Sequence, residues 1–186
     1  MNILPREFYQ RDTVIVAKKL LGKRLVSRIN NQEVSGIITE TEAYKHKDDP
    51  ASHAHRRITN RNKAMFGEVG RSYVYFTYGI HYCFNVVAKE QKIDAGAVLI
   101  RGIKPEKGIT IMGKNRKITE LKNLANGPAK LTQAFAITNK HYGLDLTRKS
   151  KLYITEGVNI SKKISETPRI GIKLATEKLW NFKVEI

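Results

Sequence analysis

Residues 34–44 and 72–88 alternate with the two-residue period of β-strands, and these two stretches set what the chain can fold into. The second turns back on itself at Tyr78-Gly79-Ile80, so it reads as a hairpin, with residues 72–77 going out and 81–88 returning. A hairpin alone is marginal in water, so its faces need partners. Residues 24–28, joined to 34–44 through an Asn30-Asn31 turn, supply one strand. Residues 95–103, dense in Ala, Val, Leu and Ile, supply a central one that Lys104-Pro105 ends.

Around this frame the helical period appears in three places. Residues 5–22 read as a helix, with Pro5 in a first turn, Asp12 as a cap for Val14 to Leu21, and Gly22 as the stop. Val14, Ala17, Leu20 and Leu21 share its inner face. Residues 106–124 read as amphipathic, marked by Ile109, Met112, Ile118, Leu121 and Leu124, and Gly127-Pro128 opens a helix over 129–136. A strand is expected at 152–154. Residues 168–172 turn into a final strand, and Trp180 and Phe182 pin the C-terminus to the core. Strands and helices mix without a βαβ alternation. The expected fold is therefore α+β: a single domain over residues 1–186 with a curved, largely antiparallel sheet, surrounding helices and a protruding β-hairpin.

Charge narrows the partner. The 34 Lys and Arg face 17 Asp and Glu, a net charge of +17 spread along the whole chain. Such a surface suits a polyanion, nucleic acid before a membrane, although a basic solvated surface gives the same composition. The one cysteine, Cys83, cannot form an internal disulfide or a multi-cysteine zinc site and reads as a buried core thiol near His81. The first residues, Met1 to Arg6, lack the features of a signal peptide, and no apolar run approaches the roughly 18 residues of a membrane span. A cytoplasmic protein with no targeting signal and no membrane association is expected.

Three features carry chemistry. Ile38, Glu40 and Glu42 are expected on one face of their strand, with Ile37, Thr39 and Thr41 on the other, so the carboxylates lie about 7 Å apart. A carboxylate repels phosphate. It either takes a proton from water or forms a salt bridge to one of the many cations. The polar segment 45–70, carrying His46, His53, His55, Arg56, Arg57, Arg61 and Lys63, is long enough to be a binding or active-site loop. The hairpin adds tyrosines, on whose rings bases stack at roughly 1–3 kcal/mol each. Tyr73 and Tyr82 suit the sheet. Tyr78, beside Gly79 at the turn, suits a wedge between base pairs. Three functions stay open on these residues: an enzyme acting on DNA bases, a binding protein using charge and tyrosines alone, and a metal-dependent nuclease built on Glu40, Glu42, Asp48 and Asp49.

The motifs Thr39-Glu40-Thr41-Glu42-Ala43-Tyr44, His53, Arg61 to Phe66, and Tyr73 to Asn85 resemble the alkyladenine (3-methyladenine) DNA glycosylases. The resemblance continues through Val98-Leu99-Ile100-Arg101, Asn126 to Leu131 and Arg169-Ile170-Gly171-Ile172. It implies a monofunctional enzyme of base-excision repair that flips alkylated or deaminated purines, such as 3-methyladenine and hypoxanthine, out of double-stranded DNA. The N-glycosidic bond is hydrolysed without metal or other cofactor, which leaves an abasic site. Carried onto this chain, the resemblance makes Glu42 the base that activates water and Arg101 its partner. Tyr44, His53 and Tyr75 become the pocket walls, Asn85 the group that excludes normal guanine, and Tyr78 the intercalating tip. One wedge and one pocket need only a monomer. Trp180-Asn181-Phe182 departs from the pattern, where an arginine is more usual in the middle, and this bears on how the C-terminus docks.

Overall fold

The computed structural model describes residues 2–186; Met1, the first residue of the stretch read as free of a signal peptide, lies outside the described residues. Strand pairing dominates the architecture. β1 (Arg24–Ile29), β2 (Gln32–Lys45), β3 (Ser72–Thr77), β4 (His81–Val87), β5 (Gly96–Lys107) and β6 (Leu152–Thr155) form one sheet in the order β3-β4-β5-β2-β1-β6. Every pairing is antiparallel. Two short strands, β7 (Ser165–Thr167) and β8 (Asn181–Lys183), complete it, with β8 paired to Glu40, Thr41 and Glu42 of β2. The expected α+β fold with a curled antiparallel sheet and a protruding hairpin is what the chain adopts.

One face of the sheet carries the main core. Ile38 and Ala43 of β2, Val74, Phe84, Val86, Val98, Ile100 and Ile103 pack against α2 (Thr13–Leu20), α4 (Ile109–Arg116) and α5 (Pro128–Ala134) through Val16, Ala17, Leu20, Met112 and Leu131. Each fully buried Val, Leu, Ile or Phe contributes about 1.5–3 kcal/mol, so this face supplies most of the burial that stabilises the sheet. The opposite face carries a smaller cluster of Ala54, Met65, Tyr73, Val87 and Ala97.

The helix expected over residues 5–22 is broken. α1 (Arg6–Tyr9) ends at Gln10, and Asp12 starts α2 anew by accepting the backbone N–H groups of Val14 and Ile15, at 2.9 and 3.3 Å. A good cap placed inside a predicted helix begins a second one. β5 does not stop at Lys104-Pro105 but runs to Lys107. Pro105 sits opposite Gly36, where the register of β2 and β5 shifts, and a ladder irregularity tolerates the missing N–H. The helix expected over 106–124 shrinks to α4. Gly108 and Lys117, both left-handed, bound it, and a separate single turn follows at Leu121–Asn123. Ile109 and Leu121, two of its apolar marks, are solvent-exposed. The segment 45–70 contains one short helix, α3 (Lys63–Phe66).

A paired irregularity between β2 and β5 matters most. Thr39 is skipped between the pairs Ile38↔Ile103 and Glu40↔Gly102. Arg101 is skipped between Glu40↔Gly102 and Thr41↔Ile100. Each strand thus inserts one extra residue, and a bulge re-aims side chains. Ile38 therefore does not share a face with Glu40 and Glu42, contrary to strict alternation. It packs in the main core with Ala43, on the side where Thr41 Oγ1 donates to Ala17 O at 2.9 Å. Gly102 fits the crossing closely, since a Cβ there would lie 3.0 Å from Glu40 Cβ and 3.1 Å from Thr39 Oγ1 and would push these side chains aside.

Candidate active site

On the face opposite the main core, the sheet and segment 45–70 enclose a cavity of about 380 Å³. Tyr44, His53, Tyr75, Asn85, Arg101 and Tyr78 all line it, so the structure brings these six expected site residues to one place. Glu42 does not line it. Its carboxylate is fully buried directly behind Tyr44, Arg101 and Ile170, which do.

Burying a carboxylate is costly unless donors satisfy it, and Glu42 is well supplied. Its Oε1 accepts the Ile170 backbone N–H at 2.7 Å and Asn181 Nδ2–H at 3.0 Å. Its Oε2 accepts the Tyr44 hydroxyl at 2.8 Å. Arg101 Nε stands 3.4 Å from Oε1 of Glu42 and donates to Glu40 Oε1 at 2.9 Å. Asn181 Nδ2 also donates to Glu40 Oε1, at 3.0 Å. The two carboxylates expected as a pair are thus tied together by one arginine and one asparagine. Residues Trp180 to Phe182 do more than dock the C-terminus: β8 pairing places Asn181 opposite Glu42. Nothing local in the sequence marks that contact, 139 residues away along the chain.

The aromatic walls come from several elements. Burial, then the charge of Glu42 and the bond to it, raise the Tyr44 hydroxyl above the ordinary tyrosine range, so it stays a donor. Tyr75 meets His53 edge-on at 4.7 Å, and the Arg61 guanidinium lies over the Tyr75 ring at 4.8 Å. His53 stands at the mouth, open to solvent, with Nδ1 2.9 Å from the Tyr73 hydroxyl. Partial burial and the neighbouring Arg61 charge push its pKa down to about 4, so its ring is neutral at physiological pH. Asn85 is buried and donates Nδ2–H to Tyr73 O at 3.0 Å, which fixes its amide against the hairpin.

Three site features were not expected from the residues. Tyr73 belongs to the sheet but also lines the cavity, and so does Cys83, whose thiol lies against Tyr75 and is raised in pKa by burial. Ile80, 69 % exposed, stands beside Tyr78 at the hairpin tip. Asp49 does not gather with Glu40 and Glu42 as the nuclease alternative requires. It is fully buried and forms a two-pronged ion pair with Arg169, at 2.6 Å on both prongs.

Tyr78 itself is 88 % exposed and has φ +52°, with Gly79 at φ +68° and Ile80 N bonded to Thr77 O. Two central residues with positive φ are the pattern of a tight hairpin turn. The aromatic ring is therefore held outside the body by a turn that normally selects Asn or Gly.

Rings around a cavity, a sealed carboxylate behind it and an aromatic hairpin tip on a chain of charge +17 belong to an enzyme that acts on the bases of DNA. The family model described as methylpurine-DNA glycosylase (MPG) matches residues 7–185. A protein of Carboxydothermus hydrogenoformans is 50 % identical over 97 % of this chain and 94 % of its own length. One of Clostridium acetobutylicum is 46 % identical over 98 % and 94 %, and one of Ehrlichia chaffeensis 45 % over 98 % and 93 %. All three are provisionally named 3-methyladenine DNA glycosylase. The chain belongs to the methylpurine-DNA glycosylase family, and is a DNA glycosylase of base-excision repair. Among the described residues no helix is long and apolar enough to cross a membrane.

Proposed function

We propose that the protein extracts alkylated or deaminated purines, such as 3-methyladenine and hypoxanthine, from double-stranded DNA and hydrolyses the N-glycosidic bond with a Glu42-activated water. Tyr44, His53 and Tyr75 are the walls that take the flipped base, Tyr78 fills the gap in the duplex, and Asn85 works against normal guanine. The enzyme acts as a monomer, without metal or other cofactor, and leaves an abasic site.

The observation that carries this reading is the buried carboxylate of Glu42, held at one oxygen by Ile170 and Asn181 and flanked by Arg101. An N-glycosidic bond to an alkylated purine breaks readily, because the base leaves without its positive charge. The enzyme must then stabilise a cationic sugar and direct a water to it. A fixed carboxylate does both. Glu42 Oε2 accepts the Tyr44 hydroxyl and keeps a second lone pair with which to take a proton from water. A neutral His53 suits a cationic base, since a protonated imidazole would repel it.

The test is release of free base from alkylated duplex, followed by alkali cleavage at the resulting abasic sites. Wild type at enzyme excess releases base. Glu42→Gln retains lesion binding and loses release by roughly two orders of magnitude or more. Full turnover by that variant moves the base elsewhere, and strand cleavage abolished by a chelator supports the nuclease instead.

A further inference from the structure

Behind Tyr44, on the side away from the cavity, lies a fully buried charged stack. The Arg169 guanidinium sits 4.7 Å from the Tyr44 ring centre and 5.2 Å from that of Trp180, so it is clamped between two aromatic faces. Its Nη1 donates to Ala43 O at 3.0 Å and to Asp49 Oδ2 at 2.6 Å, and its Nη2 donates to Asp49 Oδ1 at 2.6 Å. Asp49 Oδ2 also accepts Lys45 N–H at 3.0 Å. Both charged side chains are 0 % exposed. The next residue, Ile170, gives its N–H to Glu42. Spacing alone gives the motif Arg169-Ile170-Gly171-Ile172 no role, and it offers Asp49 only as a metal-ligand candidate.

A cation on one face of an aromatic ring draws on the same electron density that a second cation would use on the other face. An arginine behind the stacking ring would therefore work against a positively charged base. The two-pronged carboxylate cancels that charge. A buried ion pair is weak evidence for stability, since an apolar pair of similar volume often stabilises as well, so this one calls for another explanation.

We propose that Asp49 and Arg169 form a charge-neutral backing for the Tyr44 ring, and that Asp49, as a positioning and specificity residue, lets this ring accept cationic alkylated purines. Arg169 stiffens Tyr44 from behind and sets Ile170 on Glu42. Asp49 removes the electrostatic cost of having a guanidinium there. The inference rests on the reading of Tyr44 as the wall that takes the flipped base.

The test compares binding of two lesions that differ in charge. Duplexes carry hydrolysis-resistant 2′-fluoro nucleotides of N3-methyladenine, which is cationic, or ethenoadenine, which is neutral. The readout is the ratio of their dissociation constants, with undamaged duplex as the measure of folding and general DNA affinity. Asp49→Asn leaves the guanidinium unneutralised about 8 Å from the base, and the ratio moves against the cationic lesion by about tenfold. Asp49→Ala, which leaves room for water against the guanidinium, moves it the same way. Asp49→Asn combined with Arg169→Gln is again neutral and restores the wild-type ratio. A structural role would weaken both lesions together and would not be repaired by the second substitution. An unchanged ratio in a folded single variant, or a double variant whose ratio departs from wild type, overturns the proposal. A wild type that prefers neither lesion to undamaged duplex refutes the glycosylase pocket instead.

Discussion

Replacing Tyr78 by Asn separates stability from function with opposite signs. Tyr78 sits in the left-handed region at φ +52°, which costs an ordinary L-residue about 1–2 kcal/mol. Its ring is 88 % exposed, so almost no burial offsets that cost. Asn followed by Gly79 is the favoured pair for such a turn and recovers about 0.5–1 kcal/mol. In a chain of this length, that raises the melting temperature by roughly 1–4 °C. The same change removes the ring proposed to fill the hole left by a flipped base, and with it about 1–3 kcal/mol of stacking. Release from a duplex then slows by roughly 5- to 150-fold. Release from a single-stranded lesion changes far less, because no base pair has to be opened. Calorimetry and single-turnover release on paired and unpaired hypoxanthine read both effects. A lower melting temperature would mean that the ring packs on the body. An equal slowing on both substrates would refute a wedge.

The remaining expectations concern the buried cluster and the walls. Asn181→Leu removes the donor shared by Glu40 and Glu42, costs roughly 1.5–3 kcal/mol for each charge-assisted bond in denaturant unfolding, and lowers the release rate. Tyr44→Phe keeps the ring proposed to stack and removes only the hydroxyl bond to Glu42 Oε2, so it retains most of the release rate whereas Tyr44→Ala loses it; equal losses would give the hydroxyl the main part. His53, depressed to about 4, binds fewer protons folded than unfolded between that value and the ordinary 6.5. Stability is thus full above pH 6.5 and falls as the pH drops towards 4. Melting temperatures followed over that range should show a slope that His53→Gln lessens, the rest belonging in part to His141, which burial also depresses.

Much of the fold was legible. Alternation marked the hairpin and the long strand, and Asp12 and Pro128 marked helix starts, because these signals are local: a cap or a pleat is decided within a few residues. The failures have local causes too. The helix read as continuous over residues 5–22 in fact ends its first part at Gln10, ahead of the Asp12 cap. Alternation through Ile38 missed the bulge at Thr39, since a single inserted residue leaves no mark in a hydrophobic pattern.

By itself the sequence determined that this strongly basic chain would build an antiparallel sheet with an aromatic tip at Tyr78, and that Glu40 and Glu42 would share a strand face. Only the tertiary structure decided what surrounds them. Asn181 reaches Glu42 from 139 residues away, and Arg169 reaches Asp49 from 120. Such bonds depend on which strand edge β8 joins and how far β2 bulges, and both are set by packing of distant segments. A buried carboxylate persists only where enough donors converge on it, and that convergence belongs to the folded chain.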